Sequence, residues 1–301
     1  MQSTEITHNS APSGPTLTTE VVIGAALVLG LIGYAVHEYP TSISEGGATS
    51  LITAIVALAA YGAAGLWMRR RQTGAARAAL VSGAQVGLVL GAFEIVNISL
   101  ETSGSLSQSA RGIVGPVSMA MLALLYGTAG SIAYRRTMSL ALAVGAGVWC
   151  ALVVTVITCL FAFSYNLASL TQLSEAMHAE YLQSGMHDAR AFVVRNTLDA
   201  ASSHLLVSPL IGAFFSGVGA LITERLTRAK PSTAAALGLL GVCQLALSIG
   251  LIHYALSLTR PERPPFIMTG MLLGGIALTY AAPVATALIA AMTRGSQSQP
   301  T

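Results

Sequence analysis

Tyr61-Gly62-Ala63-Ala64-Gly65, followed by Arg70-Arg71, returns 65 residues later as Tyr126-Gly127-Thr128-Ala129-Gly130 followed by Arg135-Arg136. The same internal spacing recurs in Phe215-Ser216-Gly217-Val218-Gly219 with Glu224-Arg225, and Tyr280-Ala281-Ala282-Pro283 stands where a fourth copy would fall. The preceding segments echo one another as well, Leu27-Val28-Leu29-Gly30 reappearing as Leu88-Val89-Leu90-Gly91. A unit that carries two apolar stretches and repeats at such a period is a helical hairpin written more than once. All copies then enter the membrane in the same sense, which predicts pseudo-rotation about the membrane normal.

Of the 301 residues 53% are hydrophobic and only 9% charged, against roughly 25% charged in a soluble domain. Apolar runs of about 20 residues suffice to cross a hydrocarbon core, and eight fall near 20–38, 49–68, 78–99, 113–133, 139–163, 204–223, 233–257 and 267–292. The runs are continuous and not alternating, so the fold class is an all-α polytopic membrane bundle of about eight transmembrane helices, not a barrel. Its organisation reads as a disordered cytoplasmic tail at 1–19, hairpins one and two over 20–137, hairpins three and four over 138–293, and a second tail at 294–301.

Arg69, Arg70, Arg71, Arg77, Arg135, Arg136, Arg225, Arg228, Lys230 and Arg294, ten of the fifteen basic residues, fall on one side of this topology. Basic loops stay in the cytoplasm, which places both termini inside and the protein in the plasma membrane, the inner membrane of a bacterium. Arg70, Arg71, Arg135, Arg136 and Arg225 are then topology or lipid anchors. The bilayer is one expected partner, and a membrane-protein partner or a second copy of the chain is another. The net charge of +3 follows from the topology, and nothing forms the basic stripe that nucleic acid requires.

Between the fifth and sixth runs the outer connection lengthens to residues 164–203. Leu170, Leu173, Met177 and Tyr181, then Ala189, Phe192, Val193 and Leu198 after Gly185, predict two amphipathic helices lying over the bundle mouth. Small residues at helical spacing mark close packing in lipid. They form one stripe in each of three leading helices: Ala26, Gly30, Gly33 and His37; Gly87, Gly91, Glu94 and Ile98; Ala246, Gly250, His253 and Ser257. Ala123 with Gly127, and Ala213 with Gly217, carry the pattern into the second helices. Residues 80–225, ending in Gly219-Ala220-Leu221-Ile222, resemble in hydropathy uncharacterised bacterial multi-pass membrane families, a resemblance that brings no functional residue with it.

Glu94 is the sharpest candidate for chemistry, because a carboxylate inside a membrane is costly and marks function by default. Asn97 lies one turn on, and His253 holds the corresponding place in the seventh run. His37 and His204 fall nearer the rim of the outward-opening cavity these residues would line. The alternative is that Glu94 reaches outward to Arg111. Cys150 and Cys159 sit on opposite faces of one helix and Cys243 on another, as small apolar packing residues. No paired-histidine motif supports haem, no cofactor or metal is expected, and no Walker loop, Gly-x-Ser-x-Gly or His-Glu-x-x-His is present. These features, with Pro116, Pro209 and Pro283 as kinking sites, point to a transporter or permease-like protein for a small solute or proton. A noncatalytic scaffold or accessory subunit is the alternative, and an integral-membrane enzyme comes third.

Overall fold

The computed structural model describes residues 17–70, 74–102 and 108–228, and all regular structure within them is helical. In chain order come α1 (Leu17–Glu38), a π-helical turn (Ile43–Gly47), α2 (Ala48–Arg70), α3 (Gly74–Thr102), α4 (Gln108–Thr137), α5 (Leu140–Ala168), α6 (Leu170–Ala176), α7 (His178–Ser184) and α8 (Ala189–Arg228). Five stretches are long and apolar enough to cross a membrane: Thr19–Glu38, Ile43–Met68, Gly74–Leu100, Leu140–Ala168 and Ala189–Thr227. The 30-residue α4 packs alongside them, against α3, α5 and α8. The predicted seventh and eighth spans, with Cys243 and His253, lie outside the described residues, as do Arg71, the tail at 294–301 and all but the end of the segment 1–19.

At the centre stands α5, every residue of which is buried from Trp149 to Val156. A helix surrounded by neighbours is apolar all round, and its small residues, Ala143, Gly147 and Ala151 among them, are buried with its large ones. The α1–α2 hairpin packs on one flank of α5 and α8, and the α3–α4 hairpin on the other. In both, the first helix meets α5 and the second meets α8. Cys150 joins the cluster of Leu90, Tyr126 and Phe215, while Cys159 joins that of Val28, Leu58 and Leu205, on opposite sides of α5 as their spacing requires.

The α3 stripe packs as expected. A side chain at Gly83 would strike the Ala146 carbonyl, and Gly87 and Gly91 lie against Val153 and Ile157. The α1 stripe does not. Ala26, Gly30, Gly33 and His37 are all exposed, and the buried face is instead Val21, Ala25, Val28, Ile32 and Ala35. The close approach to α5 is made on that face by Gly24, where a Cβ would lie 2.4 Å from Val156 Cγ1, and not by the predicted stripe. On α8 the seam is likewise shifted from Ala213 and Gly217 to Gly212, Ser216 and Gly219. A Cβ at Gly219 would lie 2.2 Å from the Gly127 carbonyl oxygen, and one at Gly130 2.1 Å from that of Ser216.

The outer connection is shorter than its sequence predicts. Two seven-residue helices, α6 and α7, occupy its first half, and α7 ends on Gly185 in the left-handed conformation (φ 71°) that favours glycine there. The second half is the start of α8 and no separate helix: the Asp188 carboxylate caps it by accepting from the Arg190 and Ala191 amides, and the helix then runs unbroken for 40 residues. Packing over the bundle runs through the predicted positions. Leu170, Leu173, Met177 and Val193 cluster with Ala35 and Tyr39, and Phe192 meets the Tyr181 ring.

Candidate functional site

Contacts along the helices fix which residues share a level. Between α3 and α5, which run parallel, Gly83 faces Ala146, Gly87 faces Cys150 and Val153, and Gly91 faces Ile157. One turn beyond Gly91, Glu94 is therefore level with Thr158. Between the antiparallel α5 and α8, Gly212 meets Gly147 and Ala151, so Thr158 is level with His204. Between the parallel α4 and α8, Ser216 donates to the Tyr126 carbonyl at 2.7 Å and Ser131 to that of Gly219 at 3.1 Å. Carried back along both helices, this register brings Ser118 level with Val207, about one turn from His204.

Face as well as depth agrees. Leu90, Leu122, Val154 and Ile211 belong to one apolar cluster. Glu94 follows Leu90 by four residues, Ser118 precedes Leu122 by four, Thr158 follows Val154 by four, and His204 precedes Ile211 by seven. Offsets of four and seven keep a residue on its helix face, so four helices extend one apolar cluster outward into a polar layer. Glu94, Ser118 and Thr158 are 7%, 8% and 8% exposed. The buried Ser118 Oγ, Thr158 Oγ1 and His204 Nε2 have no hydrogen-bond partner among the described residues. Buried polar atoms are nearly always bonded, so three unpaired ones within about a turn of one another set this part of the interior apart.

Tyr126 lies beneath this layer. Helical aromatic side chains point back toward the helix N-terminus, which directs its ring along α4 toward this layer, and the phenol and the Glu94 carboxylate are near enough to interact electrostatically. Of the sequence candidates, then, Glu94 and His204 share the layer, and Asn97 stands half-buried one turn above Glu94 on α3. His37 does not join them: it is exposed at the end of α1, on the other flank of α5. His253 and the Arg111 side chain lie outside the described residues. Sequence reasoning missed Ser118 and Thr158, whose only signal was their four-residue spacing from apolar neighbours.

A second polar feature lies between the flanks. Pro209 sits inside α8 and has no N–H, so the carbonyl of Leu205, four residues earlier, loses its helical partner. The Tyr61 hydroxyl of α2 donates to that carbonyl at 2.6 Å. In a membrane a proline is tolerated where a neighbouring helix supplies the missing bond in this way. Thr155 of α5 faces the same tyrosine, its hydroxyl without a well-formed hydrogen bond.

At the mouth, the Glu45 carboxylate accepts from the His187 backbone N–H at 3.1 Å and meets its Nδ1 at 2.8 Å, while the Arg195 guanidinium donates to the Glu45 carbonyl at 2.9 Å. Gly46, at φ 119°, lets the turn pass close to that guanidinium. Arg195 also pairs with Asp199 at 3.7 Å, and Asp199 accepts from the Ser50 hydroxyl. These contacts tie the α1–α2 connection to the N-terminal end of α8. Of the anchors, Arg135 and Arg225 are exposed, and Arg136 donates to Ser82 of α3 at 3.0 Å.

The described residues thus define a helical membrane protein with a polar layer in its interior. Comparison with protein families, with curated proteins and with solved structures finds no match for the chain.

Proposed function

We propose that this protein is a transporter or permease-like protein that moves a small solute or a proton through its bundle, with Glu94 taking up and releasing the proton. The observation that carries the reading is the polar layer: one carboxylate, two hydroxyls and one imidazole, from four helices, within about one helical turn of one another in an apolar interior. An intramembrane carboxylate costs so much that it persists where something depends on it. Imidazole and carboxylate are the side-chain pair best suited to exchanging protons. Pro209, with its Tyr61 latch, puts a weakened turn into the otherwise continuous α8 beside these residues, and prolines are common bending points of helices.

Purified protein in liposomes carrying a trapped pH-sensitive dye tests this. Wild type is expected to dissipate an imposed pH gradient, and Glu94→Gln to abolish that flux while inserting and folding normally. Flux unchanged in Glu94→Gln overturns the role of the residue.

The finer topology belongs to the same proposal. We read eight spans built from repeated hairpins, both termini cytoplasmic, in the plasma membrane. The matching attachment of the two leading hairpins, first helix on α5 and second on α8, supports the duplication. Single cysteines at Ser44 and Thr73 are expected to react with impermeant reagent from opposite sides, and labelling of Thr73 from outside intact cells reverses the orientation.

A second reading, a noncatalytic scaffold, is favoured by the backbone-to-backbone contacts at Gly130 and Ser216, at Gly127 and Gly219 and at Gly147 and Gly212, which hold α4, α5 and α8 together without slack. A stably folded wild type with no flux of any tested ion gives that reading the lead.

A further inference from the structure

Glu20 and Val21, in the first turns of α1, share a crevice with Leu88 of α3 and Val153 of α5. Both partners stand near the midpoints of their helices, so α1 begins halfway along its neighbours. Register gives the same answer. The helices α1 and α5 run parallel, a Cβ at Gly24 falling against Val156 and Leu167 packing on the cluster of Ala35, which puts Leu17 level with Trp149. From that level α5 extends nine residues back to Leu140, about 13 Å at the helical rise, and Arg77 of α3 stands level with Leu140 by the same register. In this stretch, in line with the start of α1, the neighbouring helices do not close on one another. Trp67 and Met68 of α2, Ala79 and Leu80 of α3, and Leu142 and Gly145 of α5 line a groove of about 170 Å³. A Cβ on Gly145 would meet nothing within 4 Å among the described residues. Groove and helix start adjoin, because Val21, Leu80 and Trp149 belong to one cluster on which Met68 packs.

The chain ahead of Leu17 departs from this point, and its last five residues are Pro12-Ser13-Gly14-Pro15-Thr16. Proline is accepted only in the first turn of a helix and biases the residue before it away from helical geometry, so α1 gains no further turn here. Backbone outside a helix is tolerated at membrane depth only where protein or a watery cavity covers it. Glu20 is exposed at the same depth, where bare lipid would be costly for a carboxylate. We infer that residues 12–16 lie in the groove between α2, α3 and α5, an extended strap that continues the position of α1 to the end of the bundle where the arginine pairs stand. Covalent continuity selects this occupant, and its length fits. At about 3.3 Å per residue, Ser13 to Thr16 cover the distance and bring Pro12 to the level of Arg77. Its chemistry fits apolar walls as well, since two of the five residues have no N–H to leave unpaired. One donor at the head of the groove lacks an acceptor: Trp149 is 0% exposed, and its indole Nε1 has no hydrogen-bond partner among the described residues. Helical aromatic side chains lean toward the helix N-terminus, here toward the groove, and a carbonyl of the strap supplies what the indole lacks. The inference goes beyond the transport reading and stands whether or not Glu94 carries a proton.

Cysteine cross-linking of the full chain in liposomes tests it. Gly14→Cys combined with Gly145→Cys, under mild oxidation, is expected to form a disulfide within one chain about tenfold more than Ser3→Cys combined with Gly145→Cys, because residue 3 lies beyond the end of the groove. Linking no greater than in that control, or linking only between two copies, overturns the inference. Should Gly145→Cys fail to fold, the single variants Gly14→Cys and Ser3→Cys decide by their rates with a membrane-permeant maleimide. Gly14→Cys is expected to react about tenfold more slowly. Equal rates would mean that the groove is left to lipid, and would overturn the inference.

Discussion

Gly62 and Gly127 each follow a tyrosine at corresponding points of two similar hairpins. A methyl added at Gly62 would meet nothing within 4 Å among the described residues, whereas the Gly127 carbonyl lies 2.2 Å from where a methyl on Gly219 would stand. The tyrosines differ too. Tyr61 reaches α8 with its hydroxyl, donating to Leu205, while Tyr126 offers α8 its backbone carbonyl, which accepts from Ser216. One hairpin is thus held by side chains and one by near contact of backbones. The comparison teaches that a small-residue motif permits close approach without commanding it, and that the neighbouring helix decides which copy is used.

The largest expected effect breaks this symmetry directly. Gly130→Ala drives a methyl into the Ser216 carbonyl and is expected to destabilise by about 1–3 kcal/mol, whereas Gly62→Ala replaces glycine in an open helix position and is expected to stabilise by up to about 1 kcal/mol. Unfolding of the two variants in mixed micelles reads both signs. Equal costs would mean that the α4 seam at Gly130 is no tighter than the open α2 position at Gly62.

Tyr61→Phe comes next. It strands the Leu205 carbonyl inside the bundle, at a cost of about 1–2 kcal/mol. The sharper form is a double-mutant cycle with Pro209→Ala, in which the alanine restores the N–H that Leu205 lacks. The cost of removing the hydroxyl is then expected to shrink, and additivity of the two changes would remove Tyr61 from any role at the proline.

Smallest is the outer latch. His187 is 88% exposed where it meets Glu45, and exposed ion pairs contribute little and are screened by salt. His187→Ala is expected to move the unfolding midpoint less than either change above, and the difference from wild type to vanish at high salt. A large, salt-independent shift would show that the latch holds more of the structure than its exposure allows.

Much of the fold was legible because lipid leaves few choices. Long uninterrupted apolar runs gave α1, α2, α3 and α5 within a few residues of their ends. Gly87 and Gly91 read correctly because the same stripe that looked small also met bulky partners, Val153 and Ile157, and Gly83, one turn earlier, extends it unread. The stripe through Gly30 misled, since only the presence of Val21, Val28 and Ile32 on another face, and of α5 to receive them, turned it outward. The length of α8 was hidden by Ser202 and Ser203, which resemble the end of a loop yet stay helical, and by Pro209, whose missing bond is made by a residue 148 positions earlier in the chain. At the site, Glu94 announced itself by charge. Ser118 and Thr158 did not, because serine and threonine are common in membrane helices, where they usually bond the carbonyl four residues back, as Ser131 and Thr223 do here.

The central claim is that Glu94 exchanges a proton inside the bundle. Infrared difference spectroscopy of the protein in liposomes, stepped across neutral pH, follows the carbonyl stretch that a carboxyl group shows only when protonated. A band that rises and falls with pH in wild type and is missing from Glu94→Gln is the predicted result. A wild-type spectrum indistinguishable from that of Glu94→Gln would contradict the claim.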